Sequence, residues 1–182
     1  MKKFKHFNNF YSLKRINLEK LSLKHLDDIH EYSINEKFFK HFERQKINKK
    51  EQTKKYISSK IREVKNFKAL WWSVALKNTN KIIGTICVNN INYARKSFEI
   101  GYGINPDYWG KGYFTEAIKG LLKNVLKKDK FLRCQAITSI NNNSSIRTLI
   151  KCGFKKEGQL KKFLRNNKQK KNFDAVILAK TI

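Results

Sequence analysis

The chain has 182 residues, with 41 Lys and Arg against 14 Asp and Glu, a formal net charge of +27. This length suits one domain with a real core, and a content of 40% hydrophobic and 13% aromatic residues excludes wholesale disorder. One proline and no glycine-, serine- or proline-rich run leave no linker, so residues 1–182 read as a single domain, with 1–11 as a flexible basic N-terminus.

No run approaches membrane-spanning length, and the opening MKKFKHFNNFYSLKR lacks the apolar stretch and cleavage site of a signal peptide. The three cysteines, Cys87, Cys134 and Cys152, form no C-x-x-C, which points to a reduced, cytoplasmic protein. The histidines show no metal-ligand spacing, and His25 and His30 are expected at the surface. Lysines are spread along the whole chain beside abundant Asn and Ile, which favours compositional bias over a dedicated nucleic-acid surface. Weak affinity for RNA or the ribosome follows from such a field in either case.

In chain order, Ser12–Leu18 alternates weakly and is expected as a first strand. Ser22 is placed to cap a helix that carries Leu26, Ile29 and Tyr32 on one face. Ile57, Ile61 and Val64 recur at helical spacing in KKEQTKKYISSKIREVKN, an amphipathic helix. LWWSVAL and KIIGTICVNNI flank the turn KNTN as a hairpin, with Trp71 and Trp72 as core aromatics, and SFEIGYGI follows as a third strand. Ala117, Ile118, Leu121, Leu122, Val125 and Leu126 form one broad apolar helical stripe. RCQAITSI is another strand. In NNNSSIRTLIKCGF, Asn142 or Asn143 caps a short helix, Ile146, Leu149 and Ile150 face inward, and Gly153 supplies the left-handed end. FKKEGQL and NFDAVILAK finish as strands around a basic loop. The order β-α-α-β-β-β-α-β-α-β-β describes a mixed α/β (α+β) sheet.

The most informative stretch is EIGYGINPDYWGKGYFTEA, residues 99–117. Gly110 and Gly112 lie between a strand and a helix, where backbone without a Cβ can approach a ligand. The helix beyond offers unbonded N–H groups and the positive end of its dipole, a cradle for phosphate. Lys111 adds charge. A third glycine, as a dinucleotide fingerprint needs, is missing at Phe114 and Thr115, and Tyr113 stands where a P-loop needs lysine. Glu99, Gly101 and Gly103 share one strand face, which is expected to lie bare against a ligand chain.

These residues resemble the GNAT family of acetyl-CoA-dependent N-acetyltransferases, in its ribosomal-protein N-terminal acetyltransferase (RimJ/RimL-like) branch. The likeness rests on EIGY, YWGKGYFTEA, NNSS and KCGFKKEG in that order. It implies a GNAT fold with a mixed, mostly antiparallel central sheet flanked by helices. It also implies acetyl-CoA as acyl donor. Trp109 takes the Gln/Arg position of the family's pyrophosphate motif and Gly112 its first glycine. Phe114 departs from the small residue expected there, and Leu149 from the family's catalytic tyrosine. The resemblance implies cofactor contacts at Gly103, Ile104, Trp109, Gly110, Lys111, Gly112, Tyr113, Thr115, Asn142 and Ser145.

The implied reaction is direct attack of a primary amine on the thioester, with Glu99 as base through a water, Ser145 beside the sulfur, and a backbone N–H near Gly103 or Ile104 polarising the carbonyl. Near neutral pH roughly a fifth of α-amines are already neutral, against less than about a thousandth of lysine amines. A protein N-terminal α-amine, that of a ribosomal protein included, is therefore the favoured acceptor. Polyamine or aminoglycoside acetylation is the rival, and a catalytically weak RNA-binding protein on the same fold is the reading from another class. Monomer and homodimer both stay open.

Overall fold

The computed structural model describes residues 6–43, 46–126, 130–166 and 170–182. Eight strands form one sheet: β1 (Phe10–Ser12), β2 (Ile16–Lys20), β3 (Ala69–Leu76), β4 (Ile82–Asn92), β5 (Ser97–Ile104), β6 (Arg133–Ser139), β7 (Lys155–Asn166) and β8 (Lys171–Thr181). Their spatial order is β1-β2-β3-β4-β5-β6-β8-β7, and β5 with β6 is the one parallel pair among these strands. Helices α1 (Leu26–Ser33), α2 (Glu36–Phe39) and α3 (Lys50–Lys65) precede β3, α4 (Tyr113–Val125) follows β5, and α5 (Asn143–Lys151) follows β6.

The two-residue period of β3 sorts the core into two layers. Leu70, Trp72, Val74 and Leu76 join the cluster that packs on α4 and α5. Trp71 and Ala75 join the cluster under α1, α2 and α3, whose buried members include Ile29, Tyr32 and Ile57. The α4 stripe is fully inside, with Ala117, Ile118, Leu121 and Val125 at 0% exposure. Burying four such side chains removes several hundred square ångströms of apolar surface from water, the main force that fixes α4 on the sheet.

The expected helices and the central meander appear, with five differences. The first strand is a hairpin: Tyr11 pairs with Leu18, and Leu13 N–H donates to Ile16 O at 2.9 Å across the turn. Lys14 and Arg15 occupy that turn, so the alternation seen in the sequence straddles two strands. Second, residues 6–11 belong to the fold rather than to a flexible arm. Phe7 and Tyr11 are buried, Phe7 lies edge-on to Phe98 at 5.7 Å, and Trp72 Nε1 donates to Asn8 O. Residues 1–5 of the expected arm lie outside the described residues.

Third, α2 is an extra turn of helix, capped by the Asn35 side chain, which accepts from Lys37 N–H. Fourth, Ile150 is half exposed, because Ile146 and Leu149 fill the inward face of so short a helix. Fifth, His25 is buried, not on the surface, with Nδ1 2.7 Å from Ser73 Oγ. Burial, reinforced by Lys24, holds this imidazole below its ordinary pKa against the opposing pull of Glu19 and Asp28. The three thiols are free and buried. Part of the basic loop between β7 and β8, residues 167–169, lies outside the described residues.

Candidate active site

The site begins where two strands part. The parallel ladder joins Ser97–Glu99 to Arg133–Gln135 and stops. β5 continues to Ile104 on β4, and β6 continues to Ser139 on β8. Beyond Glu99 the facing edge of β5 therefore has no strand partner, an expensive arrangement unless something else meets its N–H and C=O groups. A cleft of about 730 Å³ opens at this split and reaches the glycine turn.

The turn forms one end. Gly110 and Gly112 both sit at φ +77°, in the left-handed region that glycine occupies without strain. A Cβ on Gly110 would meet nothing within 4 Å, so the backbone there is bare. Gly112 is the N-cap of α4, and no side chain caps that helix. The first-turn N–H groups are left to a ligand or to water, at the positive end of a 13-residue helix. Trp109 donates from Nε1 to Ile104 O at 2.9 Å, which ties the turn back to the end of β5. Arg15 clamps it from the β1–β2 hairpin. Its Nη1 donates to Lys111 O at 2.9 Å, its Nε donates to Glu116 Oε2 at 2.8 Å, and its guanidinium lies 4.6 Å from the centre of the Tyr113 ring. Burial works against ionisation of Glu116, but the hydrogen bonds and charge of Arg15 outweigh it and leave the carboxyl below its ordinary range.

Phe114 lies 5% exposed in the core, its ring 5.2 Å from that of Tyr102. Its bulk is absorbed between helix and sheet. Phe114 also reaches the lining of the cleft, while Gly110 and Gly112 keep their left-handed backbone at the turn.

The middle and far end are set by β5 and α5. Asn142 caps α5: its Oδ1 accepts from Ser145 N–H at 3.2 Å, and its Nδ2 donates to Thr138 Oγ1 at 3.1 Å. This fixes Ser145 in the first turn, where its Oγ lies 2.8 Å from the Tyr102 hydroxyl. Burial pushes the Tyr102 phenol well above its ordinary pKa, only partly countered by the Ser145 bond. Glu99 stands where the ladder ends, and Gln135 Nε2 donates to its Oε2 at 3.2 Å.

Glu99, Gly103, Ile104, Trp109, Gly110, Gly112, Tyr113, Thr115, Asn142 and Ser145 all line this one cleft. Lys111 does not; its Nζ sits 5.1 Å from the centre of the Tyr108 ring, and its carbonyl is held by Arg15. The expectation of a bare face at Gly101 and Gly103 is corrected. At Gly103 it is covered by the α2 segment, where a Cβ would lie 2.8 Å from Phe38 Cζ, and at Gly101 a Cβ would lie 3.1 Å from Cys87 Sγ on β4. The opening is along the backbone edge instead. Tyr102, Arg15 and Gln135 escaped sequence reasoning.

A family model described as an acetyltransferase (GNAT) domain matches residues 15–155. The "Uncharacterized N-acetyltransferase YoaA" of Bacillus subtilis is 30% identical over 118 residues, covering 61% of this chain and 67% of that protein. The ribosomal-protein-serine acetyltransferase of Escherichia coli is 28% identical over 82 residues, 45% of this chain and 46% of that one. Among solved structures, the microcin C7 self-immunity acetyltransferase MccE, crystallised with acetyl-CoA and AMP, superposes with a TM-score of 0.82 at 27% identity, covering 93% of each chain. With that match over most of its length, and the split sheet and uncapped glycine turn in place, the chain belongs to the GNAT acetyltransferase family.

Proposed function

We propose that this protein transfers an acetyl group from acetyl-CoA to the free α-amine of a protein or peptide. The observation that carries the reading is the split between β5 and β6, which joins the uncapped N-terminus of α4 to Glu99 and the Tyr102–Ser145 pair in one cleft. The residues fit the donor. The α4 first turn with Gly110 and Gly112 suits the pyrophosphate, and the free edge of β5 suits the amide-bearing arm. Asn142 and Ser145 lie beyond that arm, where the thioester would come.

Acetyl-CoA, when bound, supplies an activated acyl group, so no protein nucleophile is needed. Glu99 accepts the proton released by the attacking amine, through a water, while Gln135 holds the carboxylate in place. A backbone N–H of β5 near Gly103 or Ile104 donates to the developing oxyanion. The Tyr102 hydroxyl lies 2.8 Å from Ser145 Oγ, and where the phenol is the donor Ser145 can turn its own O–H toward the departing sulfur. Burial holds the Tyr102 phenol above its ordinary pKa, so its part is to hydrogen-bond rather than to give up its proton.

The Escherichia coli relative named a ribosomal-protein-serine acetyltransferase supports a protein acceptor, and the positive field of the chain favours approach to a ribosome. The test is steady-state release of the CoA thiol with a short peptide, spermidine and an aminoglycoside offered in turn. The expected result is turnover with the peptide, lowered by roughly 100-fold in Glu99→Gln, as loss of a general base produces. Turnover confined to spermidine or the aminoglycoside contradicts the α-amine reading.

A further inference from the structure

A second hollow opens off the cleft beside Gly101 and Gly103 and extends beneath α2 toward α1, α3 and the sheet. Its volume is about 110 Å³. Phe38, Phe39 and Phe42 line it, with the rings of Phe38 and Phe42 stacked at 5.1 Å and 26°. Tyr56 and Trp71 line it too, edge to face at 6.4 Å, and Cys87, the cross-strand partner of Gly101, lies beside it on the sheet. No Asp, Glu, Lys, Arg or His among the described residues lines this hollow.

Two of its polar groups are engaged within the protein. Ser33 Oγ donates to Ile29 O at 2.7 Å, and Trp71 Nε1 donates to Glu63 Oε2 at 3.1 Å. Burial pushes the Cys87 thiol up to about 12, so it stays uncharged. The described lining is therefore mostly apolar and aromatic, with no carboxylate to pair with a cation.

Its position gives it a use. Phe38, Phe42, Gly101, Tyr102 and Gly103 border both the hollow and the cleft. The shared segment of β5 lies just past Glu99, on the strand whose Tyr102 holds Ser145. A substituent on the carbon that bears the attacking amine would meet the mouth of the hollow. We infer that this hollow binds the apolar side chain next to the acceptor amine, so that the substrate is an α-amine on a residue of the size and character of Val, Leu, Ile or Met.

This rests on the acetyl-transfer reading and sharpens it. An apolar cavity of about 150 Å³ admits benzene, so a slightly smaller one suits a branched or linear aliphatic group better than a large ring. A lysine side chain, a polyamine or an aminoglycoside would carry a second ammonium into a space with no counter-charge, at a large desolvation cost. A glycine acceptor would leave the space unfilled and forgo its apolar burial.

The test uses the full chain and four heptapeptides that differ only in the first residue: Leu, Gly, Ser or Lys. Thiol release from acetyl-CoA gives kcat/KM for each, and calorimetry with acetyl-CoA alone is run alongside. The expected result is a preference for Leu over Gly and Lys on the order of 100-fold. Cys87→Met fills the hollow from below and should cut the Leu-to-Gly ratio by about tenfold; Ile47→Phe fills it from the α2–α3 side and serves if the first variant fails to fold. Acetyl-CoA binding with equal rates on all four peptides, with Lys preferred, or with no peptide turned over, overturns the inference and leaves the family reading intact. Failure of the natural chain to bind acetyl-CoA overturns both.

Discussion

The 2.8 Å contact between Tyr102 and Ser145 decides what α5 can contribute. Ser145 alone is a weak donor whose hydroxyl rotates freely. Where the buried phenol donates to it, its own O–H can point toward a ligand. Ser145→Ala should lower kcat by about a hundredfold, the low end for loss of one preorganised donor. Tyr102→Phe should have a smaller effect of the same kind. Steady-state kinetics at saturating acetyl-CoA checks both, and an unchanged kcat in both variants removes the pair from the chemistry.

Residues governed by local rules were legible in the sequence. Gly110, Gly112 and Asn142 announced themselves because a turn and a cap demand particular chemistry at particular places. Tyr102 and Arg15 did not. The Arg15 contacts with Lys111 and Glu116 span 96 and 101 residues, and nothing local marks such a pairing.

At the scale of elements, the site is made by one ladder that stops early. Glu99 pairs with Gln135 across β5 and β6, and the strands then separate because each follows its other neighbour. The sequence gave no measure of where pairing would end, since register depends on partners far along the chain. It also hid the β1–β2 hairpin, because Tyr11, Ile16 and Leu18 are all inward while Lys14 and Arg15 break the alternation at the turn. That hairpin matters for function: it carries the clamp on the glycine turn. Arg15→Ala should raise the KM for acetyl-CoA by roughly tenfold, equivalent to about 1.4 kcal/mol, with kcat little changed. The pH dependence has a definite sign. The Glu116 carboxyl is held below its unfolded pKa, so the clamp is fully present above about 4.5 and is lost as pH falls through the lower folded value. A natural chain and an Arg15→Ala variant compared by thermal melting should therefore differ at neutral pH and converge in acid. Parallel melting curves at every pH contradict the clamp.

At the scale of the whole molecule, one sheet separates two layers with separate work. The α4–α5 side brings the uncapped helix and Ser145; the α1–α3 side brings the aromatic hollow. The first was readable from the α4 stripe and the cap before α5. The second was not, because the expected helix held Tyr32 while α2, with Phe38 and Phe39, went unread, and a cavity is a property of packing rather than of spacing. The net charge of +27 acts across the molecule and attracts any polyanion, acetyl-CoA included, so binding must be separated from general attraction. The most direct measurement is calorimetry with acetyl-CoA at moderate salt, on the natural chain, on Gly112→Trp and on Lys111→Ala. The account predicts saturable binding to the natural chain, near-complete loss in Gly112→Trp, whose side chain would occupy the turn at a backbone angle unfavourable to it, and only modest weakening in Lys111→Ala. Binding that survives Gly112→Trp, or that vanishes as salt rises, would contradict the claim that the glycine turn holds the pyrophosphate.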